Sequence, residues 1–471
     1  LGLKKSRTAF TLKGGGSMGF KDECGVFGIT QHSEAANLTY LGLYALQHRG
    51  QEAAGICATD GTTLRLYKDQ GYVADIFHED NLKLLTGKQA IGHTRYSTTG
   101  GNIKESAQPF IREGRFGRVA LCHNGNLTNA EQLRTRLLAE GITFQSPSDS
   151  EVLLALIQLS KSVSLSGAIV EALKQVEGAY SLLIMDQENL FAIRDPHGFR
   201  PLVLGKLGPS FIFSSESCAF DLIAATYDRE VDPGELIQIH QGVLQNSFPF
   251  EKRDAKPCVF EHVYFSRPDS FVFGQSVMKA RREMGRLLAQ RHPVNADLVI
   301  PVPDSGVPAA LGFAETSGIA MDFGLIRNHY VGRTFIEPKQ SIRSFGVRIK
   351  LNPVRHLIED KRVVLIDDSI VRGTTSKKIV EMVRQAGARE VHFRVSSPPT
   401  THSCFYGIDT PSRENLIASH MNNEAMNQFI GSDTLAFLTL KDLSQAVQDQ
   451  AEGMGYCYAC FNGDYAVPPP L

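Results

Sequence analysis

The sequence predicts two domains in tandem, a strand-rich amino-terminal half followed by an α/β unit on a mostly parallel sheet. Three observations carry that prediction. From Val277 onward, apolar runs of strand length alternate with helical patterns, the order that yields parallel strands with helices on both faces. One such run, residues 363–366, leads directly into Asp367-Asp368 and the turn Gly373-Thr374-Thr375, so a ligand site is expected beyond the carboxyl end of a strand. Ahead of about Gln245 the chain instead carries short strands, and Ser-Phe-Pro with Lys-Arg-Asp-Ala-Lys-Pro marks a crossing between the halves.

A length of 471 residues suits about two to three domains. Charge is balanced to −1 and no apolar run approaches the length that spans a bilayer, so neither nucleic acid nor a membrane is an expected partner. Eight cysteines in so long a chain are too sparse for a secreted disulfide framework. A cytoplasmic, reducing compartment is expected, with some thiols serving as ligands or nucleophiles. Residues 1–17 are basic, Gly-rich and without acids, and they open on Leu; a transit-peptide remnant, an appended leader and a true start at Met18 all fit.

Residues 24–29 read as a short strand entered by a cysteine. Leu38, Leu41, Ala45 and Leu46 then recur at helical spacing until residues 47–52 break the pattern. Polar clusters at 91–98, 122–127 and 148–151, each expected at a strand end or turn, would converge on Cys24. Residues 178–185 and 190–195 read as a strand pair, with further strands at 211–215 and 235–240; the turn 195–202 reads as architecture. Cys57, Cys122 and Cys218 lie in apolar contexts and read as core.

Five of these runs are Cys-Gly-Val-Phe-Gly-Ile at 24–29, Gln-His-Arg-Gly-Gln-Glu at 47–52, Gly-His-Thr-Arg-Tyr-Ser-Thr at 92–98, His-Asn-Gly-Asn-Leu at 123–127 and Ser-Asp-Ser-Glu at 148–151. Together they resemble the class II glutamine amidotransferase domain of the N-terminal-nucleophile (Ntn) hydrolases. The resemblance implies an α+β four-layer αββα fold, two packed antiparallel sheets between helical layers, over residues 24–255. It also implies that Cys24 becomes the first residue of the mature chain, residues 1–23 being a leader and prosegment. A thiol needs a base, and the free α-amino group of the same residue, with a pKa of about 7.7–8.0, would serve. By the same resemblance Cys24 attacks the glutamine side-chain amide. Asn124 and the Gly125 N–H form the oxyanion hole, and Arg95, Asp149 and Thr98 hold the substrate's α-carboxylate and α-amino groups.

In the second half, strand, acidic turn and helix N-terminus together favour an anion, while two carboxylates would face its sugar or a Mg²⁺. This run resembles the phosphoribosyl diphosphate (PRPP) loop of type I phosphoribosyltransferases. The resemblance implies PRPP contacts from Asp367, Asp368, Ser369, Gly373, Thr374 and Thr375, and one Mg²⁺ per subunit on Ser305, Asp367 and Asp368. Residues 330–350, basic and without clear period, are read as a surface loop or, by the resemblance, as a lid over PRPP with Arg333 and Lys350 on the diphosphate. Residues 261–269 resemble the family's interdomain segment, in which Tyr264 would relay between the sites.

Cys258, Cys404, Cys457 and Cys460 remain. Their spacing leaves zinc, redox and iron–sulfur chemistry open. From about Lys21 to Gly463 the chain resembles the amidophosphoribosyltransferase family, whose iron–sulfur branch carries these four positions as ligands of one 4Fe–4S cluster per subunit, in a domain spanning 256–463 before a tail at 464–471. The resemblance further implies glutamine and PRPP as substrates, ammonia passing between the sites, feedback inhibition by purine nucleotides, and a homotetramer. The rival readings are another class II amidotransferase and a non-catalytic PRPP or nucleotide sensor. The 367–375 loop argues against the first. Cys24 and Asn124-Gly125, with no helix-turn-helix pattern or basic block, argue against the second.

Overall fold

The structure, a computed structural model, describes residues 24–96, 104–328, 350–447 and 455–470. The amino-terminal half holds two antiparallel sheets. In the seven-stranded sheet, Gly25–Ile29 is the middle strand, between Ser210–Ser214 and Gln89–Arg95. In the six-stranded sheet, Gly178–Met185 pairs with Gly117–Leu127 on one side and Asn189–Arg194 on the other. Strand alternation decides the layers. Val26, Cys57 and Ile91 face inward against Ala120, Cys122, Leu183 and Ala192 of the second sheet. Phe27, Ile29 and Ile56 face outward against the helix Ala35–Ala45. The second sheet's outer face, through Leu121, Leu182 and Ile184, packs on the helices Asp149–Leu159 and Leu165–Leu173. The result is the expected αββα stack, with Cys57, Cys122 and Cys218 in its core.

The 122–127 cluster occupies the carboxyl end of the eleven-residue strand Gly117–Leu127, as expected. Pairing with the neighbouring strand runs on through Asn124↔Ser181 and Gly125↔Tyr180. Glycine makes this possible: Gly125 has φ +148°, and a Cβ there would lie 2.0 Å from the Ala179 carbonyl oxygen.

In the carboxy-terminal half, Leu298–Pro301, Arg362–Asp367, Glu390–Val395 and Thr434–Phe437 form a four-stranded sheet with every pairing parallel. Val364 and Ile366 pack on one face with Met284 and Phe313, from the helices Val277–Arg291 and Val307–Ser317. Val363 and Leu365 pack on the other with Ile379 and Val383, from the helix Thr374–Gln385. That helix begins at Thr374, two residues before the Ser376 start its apolar spacing suggests, because Gly373 takes φ +71° as its N-cap. Both threonines thus sit in the first helical turn. Among the described residues, no helix is long and apolar enough to cross a membrane.

Two glycines set the crossing of Val277–Arg291 over Val307–Ser317. A Cβ on Gly285 would stand 1.8 Å from the Ala309 carbonyl oxygen, and one on Gly312 would stand 1.9 Å from that of Arg282. Backbone atoms cannot swing aside as a side chain can. Gly285→Ala is therefore expected to force the helices apart and cost about 1–3 kcal/mol of stability, read as a lower urea midpoint; an unchanged midpoint would show that the crossing widens freely.

Candidate active sites and thiol cluster

The nucleophile candidate stands where the middle strand of the first sheet begins. Gly25 pairs with Thr94, so Cys24 falls beside Arg95 on the adjacent strand. Cys24 is 8% exposed, and its thiol donates to the Tyr96 carbonyl at 3.7 Å. Burial pushes the thiol above its ordinary value; Tyr96 and the Arg95 and Arg49 cations pull the other way, and Asp149 adds to the rise. Arg95 and Asp149 are thus brought to Cys24 from separate elements.

The facing sheet supplies Asn124. Its Nδ2 donates to Ser215 Oγ at 3.4 Å, and Ser215 Oγ also accepts the Val26 N–H at 2.9 Å, so one hydroxyl ties the asparagine to the nucleophile's strand. Asp149 opens the helix Asp149–Leu159, which Ser148 caps, and its Oδ2 accepts the Leu127 N–H at 2.9 Å. Its Oδ1 lies 3.6 Å from His123 Nδ1. Burial opposes charge on both partners, but their attraction outweighs it: His123 is raised and Asp149 lowered.

The second candidate is a cavity of about 560 Å³ at the carboxyl end of Arg362–Asp367. Asp367, Asp368, Ser369, Gly373, Thr374 and Thr375 line it, with Ser305 and Lys350. The amino end of the helix Thr374–Gln385 opens onto it, as an anion requires. Asp367 and Asp368 are 7% and 6% exposed. Burial and the neighbouring carboxylate push Asp367 well above the usual range; burial also raises Asp368, against hydrogen bonds from Ser305 and Ser369. Two crowded carboxylates held this way suit a divalent cation shared with a substrate phosphate. His48 and Gln51 of the first half line the same cavity, opposite Tyr264 and Arg267 of the junction.

The remaining four thiols come together from three segments. Cys258 and Cys457 form a parallel β-bridge, with Cys457 N–H donating to the Pro257 carbonyl at 2.8 Å. The Cys460 carbonyl accepts from Thr401 and His402 N–H, anchoring the loop that leads to Cys404. All four are free thiols. Burial raises each of them; Cys258, Cys404 and Cys457 add to the rise at Cys460, while Arg200 pulls Cys258, Cys404 and Cys457 down. Such mutually repelling, buried sulfurs fit an iron–sulfur cluster. Among the described residues, no three His, Cys, Asp or Glu side chains are gathered closely enough to hold one metal ion between them.

Of the residues singled out by sequence, Thr98 and Arg333 lie outside the described residues, as does most of 330–350. Sequence reasoning missed Ser215, Glu216 and Arg49. Ser215 and Glu216 were signalled by a polar Ser-Ser-Glu-Ser run directly after apolar Phe211-Ile212-Phe213. Arg49 lies inside a quoted motif, and its Nε donates to the Cys24 carbonyl at 3.1 Å. The turn 195–202 proves architectural in a specific way: Phe199 stacks on Tyr406 at 4.3 Å, and its carbonyl accepts the Cys258 N–H at 3.0 Å.

Comparison with known proteins agrees with this geometry. A family model described as a glutamine amidotransferase domain matches residues 93–221. Amidophosphoribosyltransferase 1, chloroplastic, of Arabidopsis thaliana is 50% identical over 95% of this chain and 79% of its own length. The amidophosphoribosyltransferase of Bacillus subtilis strain 168 is 49% identical over 95% of this chain and 94% of its own. A solved structure of the B. subtilis glutamine PRPP amidotransferase, complexed with ADP and GMP, superposes with a TM-score of 0.90 at 48% identity, covering 94% of this chain and 98% of that one. Likeness across both halves disfavours the sensor and the other class II amidotransferases. The chain belongs to the amidophosphoribosyltransferase family of glutamine-dependent transferases.

Proposed function

We propose that this chain moves the amide nitrogen of glutamine to C1 of PRPP, giving 5-phosphoribosylamine, glutamate and diphosphate, the first committed step of purine synthesis. The observation that carries this reading is that residues of both halves, His48 and Gln51 with Asp367 and Asp368, wall a single cavity.

In this reading Arg95 and Asp149, with Thr98, hold the glutamine backbone charges. The Cys24 sulfur attacks the side-chain amide carbon as the thiol proton passes to the α-amino group of the processed chain. Asn124 Nδ2 and the Gly125 N–H stabilise the oxyanion, a contribution of about 10²–10³ in rate per donor. The tetrahedral intermediate collapses with return of the proton to nitrogen, releasing ammonia and leaving a thioester. Water then hydrolyses the thioester to glutamate and frees the thiol. Ammonia reaches the shared cavity within the protein and attacks ribose C1 as diphosphate departs. Thr374, Thr375 and the helix end hold the 5-phosphate; by the resemblance Lys350 and Arg333 would contact the diphosphate, in a lid that excludes water from C1.

Ser305, Asp367 and Asp368 would hold one Mg²⁺, which when bound supplies neutralising charge to the leaving diphosphate. Cys258, Cys404, Cys457 and Cys460 would hold one 4Fe–4S cluster with a structural role, tying the tail to the junction; the resemblance, not the spacing, favours it over zinc. We infer feedback by purine nucleotides, supported by the ADP and GMP of the B. subtilis complex. A cytoplasmic homotetramer is proposed by resemblance, the eight free thiols favouring a reducing compartment.

Cys24→Ala is expected to abolish glutamine-dependent synthesis while ammonia at high concentration still consumes PRPP; loss of both activities in folded protein would sink the two-site reading. Purified protein should be brown and carry about four irons per chain, and zinc without sulfide would replace the cluster assignment. The His123–Asp149 pair carries a pH signature. His123 is raised, so its share of stability is whole below 6.5 and is lost as pH climbs through the folded value. Asp149 is lowered, so its share is whole above 3.8 and is lost as pH falls through its folded value. The melting-temperature gap between the parent and Asp149→Asn should therefore be widest between pH 3.8 and 6.5 and narrow in alkali; a gap independent of pH would mean the pair is not ionised.

A further inference from the structure

The four-thiol centre has a cation built against it. Arg200 follows Phe199, whose carbonyl accepts the Cys258 N–H, and the Arg200 carbonyl itself accepts from Ser181 Oγ at 3.1 Å and Arg194 Nε at 2.9 Å. The main chains of Arg200 and Cys258 are thus tied one residue apart. The Arg200 side chain has no solvent exposure. Its Nη2 donates to Glu261, which opens the π-helical turn Glu261–Phe265 at the junction, and its guanidinium also hydrogen-bonds the Cys258 side chain. The same cation acts on Cys404 and Cys457.

A plain ion pair with Glu261 does not account for this arrangement. The two oxygens of Glu261 already take the fork of Arg49, whose Nη1 and Nη2 donate at 2.9 and 2.7 Å, and Ser266 Oγ donates at 2.6 Å. A buried pair adds little to stability by itself. What Arg200 adds is a charged donor to sulfur. Neutral backbone groups donate to these sulfurs as well: Phe260 N–H to Cys258, Tyr406 N–H to Cys404 at 3.3 Å, and Ala459 N–H to Cys457. Peptide N–H groups and a guanidinium aimed at cysteine sulfur suit thiolate ligands. Hydrogen bonds and charge at the sulfurs set how readily an iron–sulfur cluster gives up an electron.

The geometry points to Arg200 as a positioning residue of this centre: it holds the Cys258 sulfur in place and offsets the negative charge of a cluster bound there, so that the cluster resists oxidation. Thiolate ligation leaves such a cluster negative. Removing an electron discards part of that charge, and with it part of the attraction to the guanidinium, so the cation opposes the loss. This proposal rests on the iron–sulfur reading of the four thiols.

The test uses the full chain purified without oxygen, as the parent, Arg200→Met, Arg200→Lys and Glu261→Gln. Iron and sulfide per chain, the resonance Raman bands of the iron–sulfur bonds, bleaching by ferricyanide, and iron captured by a chelator without oxidant are measured. Ferricyanide takes one electron from the cluster and becomes ferrocyanide, and the oxidised cluster then sheds iron. Arg200→Met should bleach about tenfold faster than the parent, with shifted iron–sulfur bands, while chelator capture changes less than about threefold. Arg200→Lys keeps the charge and should stay within about threefold of the parent in both. Should Arg200→Met fail to fold or to hold iron, Glu261→Gln decides with the opposite sign. It removes a negative charge that acts on Cys258 and should slow bleaching about two- to threefold, whereas a merely loosened fold would hasten it. Parent-like bleaching in Arg200→Met, equal gains in bleaching and chelator capture, or unchanged or faster bleaching in Glu261→Gln overturns the proposal. A parent that carries zinc and no sulfide overturns the cluster reading beneath it.

Discussion

Desolvation acts on the ionisable groups of all three centres, and what answers it differs from group to group. Burial raises the Cys24 thiol, the Asp367 and Asp368 carboxyls and the four clustered thiols. Glu216 and Glu261 are as deeply buried, yet both are lowered, because Arg49, Arg200 and His48 lie against them. The compensating charge for those two glutamates is already inside the chain. For Asp367, Asp368 and the thiols the partial answers within the chain do not win. Cys57, Cys122, Asp195 and Glu230 are raised by burial in the same way, so burial alone does not mark a site; under the proposed reading the processed amino terminus, Mg²⁺ and iron would answer the charge at the three centres.

Sheet geometry converts that chemistry into position. Antiparallel pairing in the first half sets Cys24 at a strand entrance beside Arg95, and face-to-face packing brings Asn124 across from the second sheet. Parallel pairing in the second half sends all four strands toward the same end, so Asp367 and the loop after Pro301 emerge side by side. A strand end is where side chains can leave a packed layer without breaking its hydrogen bonds, and both the Cys24 site and the phosphate cavity use one.

Much of this was readable from residue order. Alternation of strand and helix patterns after Val277 foretold the parallel sheet, and the helices Val277–Arg291 and Val307–Ser317 occur where periodicity puts them. The acidic pair after residues 363–366 announced the cavity, since two carboxylates at the end of a buried strand need a cation or a sugar to face. The motif around Asn124 was recognisable and lies at a strand's carboxyl end as expected, but the pairing that continues through Gly125 depends on how closely Ala179 approaches, which only the fold determines. Glu261 and Arg49 were visible as letters and invisible as a pair: 212 positions separate them, and no local period links them. Long-range ion pairs of this kind have no sequence signature short of the structure itself.

The thiol cluster also bears on the amide site through packing. The loop that follows Cys404 lies on the strand Gly117–Leu127: Asn126 Nδ2 donates to the Phe405 carbonyl at 2.9 Å, and a Cβ on Gly407 would come within 3.0 Å of the Gly125 Cα. Gly407, at φ +112°, is the residue that lets two backbones meet there. Tyr406, between them, stacks on Phe199, whose neighbour Arg200 joins Glu261 and faces Cys258 and Cys404. The cluster loop and the junction turn therefore press on the Cys24 site from two directions, one through Gly125 and the other through Arg49.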